Sequence, residues 1–251
     1  MITSKITSKE NPKYKLWSKL AQKKYRLKEQ LLLVEGEHLV IEAQKAGLIV
    51  DVLVCEGVIF NIDAQVTTLA KSLFEKLAQT VTSAGIMAVC QLPTKQITQC
   101  NRLLLVDDVK DPGNLGTLIR SALAFGFDGL VTSVATVDFY NEKVVRATQG
   151  AIFKLPICQE NLLDYIPKLQ KAGVLVYAAT LHQEALPMEA IPVAKKLAFV
   201  VGNEGRGVSE SVVQACDKAV VIKMASSVES LNVGVAGSLL MYNFNGFKVQ
   251  T

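Results

Sequence analysis

The sequence predicts an α/β protein of two domains. Three observations carry that expectation. The chain has 251 residues, a length that often divides into two cores. Short apolar runs alternate with stretches of helical periodicity along most of it. A polar segment, Pro93–Gln99, separates an earlier block from a later and more regular one, as a linker would. Half of the residues are hydrophobic and a fifth are charged, the balance of a packed protein rather than a disordered one.

In the first block, Leu31–Val34 reads as a strand broken by Glu35-Gly36-Glu37. His38–Ala46 reads as a helix closed by Gly47, and Leu48–Cys55 as a second strand. Lys71–Ala78 looks helical and Ile86–Gln91 looks like a strand. The expected division is 1–91 for a small α/β domain, 92–101 for a linker and 102–251 for a second domain.

In the second block, Arg102–Val106 is a buried-type strand and Asp111-Pro112-Gly113-Asn114 a turn. Leu115, Leu118, Ile119, Ala122 and Leu123 then recur at helical spacing up to Gly126. Strand 129–133, helix 141–149, strands 174–179 and 197–201, helix 209–216 and strand 219–224 follow. This alternation predicts a mainly parallel sheet covered on both faces. The last helix, Leu231–Phe244, is apolar almost all round and contains Gly234, Ala236, Gly237 and Ser238. It needs cover on more than one face, and a second subunit is the expected cover.

Charge is unevenly placed. The net charge is +4, yet residues 1–30 hold nine lysines and arginines against two acids, a local +7, which leaves −3 for the rest. A basic head suits a polyanion such as RNA. It equally suits a solvated amphipathic helix with Leu16, Leu20 and Leu27 turned to a core. The five cysteines form no CxxC pair and read as reduced thiols; with His38 and His182 the only histidines, no metal site is expected. No apolar run approaches the roughly 20 residues of a membrane helix. The start has no apolar signal region, so the expected location is the cytoplasm.

Three loops could carry chemistry, and all lie at carboxyl ends of strands, where open parallel sheets bind ligands. In Asp111–Gly116, Asn114 falls where an N-cap belongs and Arg120 follows one and a half turns later. A helix start beside an arginine suits a phosphate, though an ordinary capped turn reads the same way. A dinucleotide loop is disfavoured because G-x-G-x-x-G is absent. In Gly202-Asn203-Glu204-Gly205-Arg206-Gly207, three glycines allow close backbone approach to a ligand or simply a tight turn, with one carboxylate at the centre. In the third, Ile222-Lys223-Met224 leads to Ser230-Leu231-Asn232. Ser230 is a ready N-cap, and Asn232 just inside a helix needs another reason.

Taken in order, these loops resemble the three motifs of the SpoU/TrmH branch of the SPOUT RNA methyltransferases. The matching stretches are 105–120, 199–208 and 221–224 with 229–233; Lys143–Ala151 also looks like the family. The N-terminal block, notably Leu33–Glu37, is similar to the family's ribosomal-protein-like substrate-binding domain.

The resemblance implies a trefoil-knotted catalytic domain, an obligate homodimer and S-adenosylmethionine as methyl donor. It implies that Gly202, Ile222, Met224 and Leu231 hold that donor, with Thr180 near its adenosine. It implies a catalytic set of Asn114, Arg120, Glu204, Ser230 and Asn232. Arg120 is the family's presumed catalytic arginine. Arginine is a poor proton acceptor, so a grip on the phosphate beside the target ribose suits it better. The implied reaction is methylation of a ribose 2′-hydroxyl, in ribosomal RNA rather than tRNA. Methylation of a guanine base, or a non-catalytic RNA-binding assembly factor on the same fold, are the alternatives. One departure stands out: Gly234 occupies the place of a usual serine.

Overall fold

The computed structural model describes residues 3–80, 82–181, 185–192, 194–227 and 229–245. Two compact units form. The first comprises residues 1–94 and 138–154, the second 95–137 and 155–251.

The first unit contains β1 (Thr3–Ile6), α1 (Pro12–Lys19), α2 (Lys23–Glu29), β2 (Leu31–Glu35), α3 (Glu37–Lys45), β3 (Ile49–Cys55), β4 (Val66–Leu69), α4 (Lys71–Leu77) and β5 (Ile86–Gln91). The strands make a mixed sheet in the order β1-β4-β3-β5-β2. β1 and β3 run parallel to β4, and β5 is antiparallel to both β2 and β3. Gly36 (φ 101°) and Gly47 (φ 69°) adopt backbone that other residues avoid, which is why the chain turns there.

The basic head differs from the single amphipathic helix expected. It forms two short helices, with Tyr14, Trp17 and Leu20 buried against Leu53, Leu73 and Met87. Leu27 is 47% exposed. Nor are all its cations free for a polyanion. Arg26 is buried and donates to the carbonyls of Leu20 and Ala21 and to the carboxylate of Asp138.

Asp138 belongs to the segment 138–154, which interrupts the second unit in sequence and packs with the first in space. Its helix, α6 (Glu142–Ala147), was grouped by periodicity with the later block. Periodicity is blind to such exchanges, because the ties are long-range: Arg26 to Asp138, Lys154 to Glu42, and α6 packed on β2.

The second unit contains β6 (Arg102–Val106), α5 (Pro112–Ala124), β7 (Gly129–Thr132), β8 (Ile157–Gln159), α7 (Leu162–Lys171), β9 (Leu175–Ala179), β10 (Leu186–Pro187), β11 (Leu197–Val201), α8 (Glu210–Ala215), β12 (Lys218–Val221) and α9 (Val233–Asn243). Its seven strands run in the order β10-β12-β9-β11-β6-β7-β8 and every pair is parallel. The sequence reading passed over β8 and α7. β8 has three residues, and Pro167 inside α7 interrupts the helical signal.

One face of this sheet buries Leu103, Leu105, Val131, Val176, Ala198 and Val200 against Leu162, Ile166 and Leu169 of α7 and Val212 of α8. Each valine, leucine or isoleucine so removed from water stabilises by roughly 1.5–3 kcal/mol. α9 packs on α5 and on β11. Gly234, Gly237 and Ser238 of α9 serve this contact within the chain. A Cβ on Gly237 would lie 2.3 Å from Leu118 Cδ2, and one on Gly234 would lie 3.2 Å from Thr117 Cγ2. Ser238 Oγ is 2.7 Å from Ser121 Oγ. The face left open on α9 is a different one, carrying Val235, Leu239 and Tyr242 at 47%, 39% and 55% exposure.

Candidate active site

β6 and β11 are hydrogen-bonded neighbours, and β12 lies two places from β11 across β9. In a parallel sheet their carboxyl ends share one edge of the layer. The three loops that the sequence singled out therefore meet.

The first loop starts α5. Its N-cap is Asp111, not Asn114: Asp111 Oδ1 accepts from Asn114 N at 2.8 Å, and Pro112 takes the first helical position, where a missing N–H costs nothing. Asn114 is therefore inside the first turn, with its amide free for the other loops. The third loop shows a parallel shift. Asn232, not Ser230, caps α9, with its Oδ1 accepting from Gly234 N at 2.9 Å and Val235 N at 3.3 Å. Ser230 is exposed at the mouth of the site.

Between them runs a directed chain of amides. Asn232 Nδ2 donates to Asn114 Oδ1 at 2.8 Å, and Asn114 Nδ2 donates to Glu204 Oε1 at 3.1 Å. Both ends fix its polarity. The backbone N–H groups of α9 can only donate, so Asn232 must turn its oxygen to them. An ionised Glu204 can only accept, so Asn114 must turn its nitrogen to it. One residue from each loop is thereby locked in orientation.

Glu204 also accepts from Asp111 N at 3.0 Å and Lys110 N at 3.3 Å. Burial pushes its carboxyl pKa up. The bonds from Asn114 and from the backbone of Glu204, Asp111 and Lys110 outweigh that, leaving it below the usual carboxylate range. Glu204 is therefore a charged anchor at neutral pH, not a proton donor.

The second loop is tied to itself. Asn203 and Gly207 exchange backbone hydrogen bonds at 2.9 and 2.8 Å, and Asn203 Oδ1 accepts from Gly205 N and Arg206 N. A Cβ on Gly202 would fall 2.1 Å from the backbone of Gly207 and Val208. The chain's own packing already requires glycine at this position. Asn203 Nδ2 also donates to Asp108 O at 2.9 Å, a second tie between the first two loops that the sequence reading did not assign to Asn203.

The second and third loops, with the end of β9, enclose a cleft of about 400 Å³; Asn114 and Asn232 do not line it, and the first loop is tied to its wall through Glu204. Thr180, Gly202, Ile222, Met224 and Leu231 all line it, together with Glu204 and Ser230. Val201, Val233 and Ala236 add apolar wall, and Leu181 lies at the end of β9. Arg120 is not among the lining residues. Its side chain is exposed on α5 and makes no hydrogen bond or ion pair with the described residues.

The SpoU rRNA Methylase family matches residues 101–242, more than half of the chain and all three loops. The chain belongs to the SpoU rRNA methylase family. An MRM3-like substrate binding domain matches residues 11–88, within the first unit. Among curated SpoU relatives, the chain is 39% identical to the 23S rRNA (guanosine(2553)-2′-O)-methyltransferase RlmP of Bacillus subtilis, over 96% of this chain and 99% of that one. Among solved structures it is similar to an RNA methyltransferase of the TrmH family from Porphyromonas gingivalis, with TM-score 0.82, 30% identity and coverage of 94% and 98%. An AdoMet-bound rRNA methyltransferase from Sinorhizobium meliloti has TM-score 0.81, 25% identity and coverage of 96% of each chain. As a SpoU methylase, the chain keeps its three motifs at one edge of one sheet, joined by the Asn232–Asn114–Glu204 chain.

Proposed function

We propose that this protein methylates the 2′-hydroxyl of a ribose in ribosomal RNA, with S-adenosylmethionine as donor. The observation that carries the proposal is the joining of the three loops by a hydrogen-bond chain of fixed polarity, beside a cleft that the second and third loops line. The likeness to RlmP makes a guanosine ribose of 23S rRNA the first substrate to try.

The cleft suits the donor. Its volume is within the range of small-molecule sites. Ile222, Met224, Leu231 and Val233 give apolar surface for a nucleoside and a thioether, and the strand-end backbone gives polar groups. Thr180, Gly202, Ile222, Met224 and Leu231 would hold it. When bound, it supplies an electrophilic methyl group on a sulfonium.

The protein's task is alignment and handling of the hydroxyl proton. Glu204, held ionised, fixes Asn114 at the start of α5. Asn232 fixes the start of α9 against the same asparagine. Ser230, at the mouth, is placed to bond the incoming sugar. Glu204 has most of its lone pairs occupied and orients rather than removes a proton.

Arg120 completes the site from a second copy of the chain. In one protomer it stands away from the cleft, and the neighbouring helix α9 presents the exposed apolar stripe Val235, Leu239 and Tyr242. A homodimer covers that stripe and brings the partner's arginine to the RNA phosphate beside the target ribose.

The test is transfer of a labelled methyl group to unmodified ribosomal RNA, followed by nuclease digestion and nucleoside mass spectrometry. A single 2′-O-methylnucleoside is expected. A labelled base points instead to base methylation, and absence of donor binding by calorimetry points to a non-catalytic assembly factor.

A further inference from the structure

Among the described residues, Asp108 is one of three non-glycine residues in left-handed backbone, with φ 58°. Such a conformation costs on the order of 1 kcal/mol or more and persists where the surroundings enforce it. Here they do so at every polar group. Its N–H donates to Ser133 Oγ at 3.0 Å, and its carbonyl accepts from Asn203 Nδ2 at 2.9 Å. Its carboxylate takes one cation on each oxygen: Lys110 Nζ at 2.6 Å on Oδ1 and Arg206 Nη2 at 2.6 Å on Oδ2. Lys110 Nζ is steadied further by the Ala135 carbonyl.

Stability accounts for only part of this arrangement, since Asp108 alone is sheltered, its side chain 17% exposed. The Arg206 side chain is 79% exposed and that of Lys110 57%, and exposed ion pairs contribute about 0–1 kcal/mol. Position accounts for the rest. Arg206 lines the cleft in the second loop, and Lys110 adjoins the first loop, its backbone N–H bonded to Glu204. Arg206 uses one guanidinium nitrogen, Nη2, on Asp108, which leaves the rest of its exposed fork available. Two cations and one carboxylate leave a net charge of +1 beside the cleft, the match for one phosphodiester. The other carboxylates of these loops are engaged with the fold: Glu204 with Asn114 and backbone, Asp111 with the Asn114 N–H, and Asp107 with the Ser209 N–H.

We propose that Arg206 and Lys110 form a phosphate-binding pair for the RNA backbone next to the target ribose, and that Asp108 is the positioning residue that holds the pair open. This rests on the reading of the chain as an RNA methyltransferase. It adds a contact made by the protomer's own loops, separate from Arg120.

The experiment uses the full chain and unmodified ribosomal RNA made by transcription. Filter binding across a salt series is compared for the wild type, Arg206→Gln, Lys110→Gln and Asp108→Asn, alongside methyl-transfer kinetics and calorimetry with S-adenosylmethionine. Arg206→Gln and Lys110→Gln are each expected to flatten the plot of log affinity against log salt by roughly 0.7–0.9. Each should raise the KM for RNA about tenfold, on the scale of one charged hydrogen bond, with affinity for the methyl donor unchanged. Asp108→Asn keeps both cations; it should leave the salt slope in place and raise KM, as a lost positioning group does.

Unchanged slopes and KM in both glutamine variants overturn the proposal. So does an equal loss of donor affinity, which would assign the pair to the donor's carboxylate. Wild-type protein that binds RNA without methylating it defeats the functional reading instead, while the salt slopes still decide the fate of the pair.

Discussion

In the first unit, the charged side chains that lie deepest are bonded to the fold itself. Asp51 accepts from Thr67 and Lys13, Glu35 from the backbone of Gln79 and Thr80, Glu42 from Lys45 and Lys154, and Asp138 from Arg26. In the second unit, the side of the sheet packed by α7 and α8 is apolar. Its notable polar groups, Asn114, Glu204, Asn232, Arg206 and Lys110, stand at strand ends, half-buried or exposed. The deepest charges of the first unit hold the chain together; in the second unit Asp107, Asp128 and Asp217 do the same for backbone N–H groups, whereas Arg206 and Lys110 stand exposed near the cleft. A count of charges, which favours the N-terminal head, therefore points away from the catalytic edge.

This contrast can be broken most sharply at the cleft. Asn232→Asp retains a good helix cap, since aspartate caps as well as asparagine. It replaces the donor to Asn114 with an acceptor, so the new carboxylate competes with Glu204 for the Asn114 amide nitrogen and leaves Asn114 Oδ1 without its donor. Methyl transfer should fall about a hundredfold, on the scale of two to three kcal/mol for a misdirected hydrogen bond, with thermal stability little changed. Loss of both together would make the chain a structural element like those of the first unit. Arg120→Gln and Glu204→Gln should each be inactive alone. Mixed and refolded together they should recover about a quarter of wild-type activity, because half of the dimers are mixed and one cleft in each is complete. No recovery would place Arg120 in its own protomer's site.

In the first unit the expected losses are of stability. Arg26→Met leaves Asp138 without its cation and should cost about 3–5 kcal/mol in denaturant unfolding, with affinity for the methyl donor unaffected. A smaller effect follows from Glu42. Hydrogen bonds from Lys154 and Lys45 hold its carboxyl at about 2, below the ordinary 4.5. A depressed carboxyl adds stability that is fully present above pH 4.5 and fades as the pH falls toward 2. Glu42→Gln should flatten the acid limb of the unfolding curve in that window and leave the neutral range lower. The smallest expected effect is at Gly234. A serine there meets Thr117 and the Asn232 cap at 3.1–3.3 Å, so Gly234→Ser should lower the melting temperature by a few degrees, on the order of 1 kcal/mol, and leave activity intact. A gain in activity would show that the usual serine has a chemical part here.

Much of the fold was legible. β5, β6 and β11 were placed to the residue, and α5 was recognised from Leu115, Leu118, Ile119 and Ala122, all buried. Those elements declare themselves because burial repeats with the period of the backbone. β1 and β4, of four residues each, are too short to show a period. In the site, the residue types were legible and their duties less so. Asn114 and Ser230 were read as caps, but Asp111 and Asn232 do the capping. Several polar residues near a helix start can each serve, and geometry picks one.

The chain's own sequence determined the α/β class, the strand-end placement of three polar loops and the family to which they belong, since these follow from local periodicity and motif order. Only the tertiary structure decided which unit segment 138–154 joins, that Arg26 is buried, that α9 uses its small residues on α5, and which way each amide in the Asn232–Asn114–Glu204 chain faces. Those outcomes depend on pairings between residues some 90 to 120 positions apart, and a local pattern carries no record of the partner that closes each one.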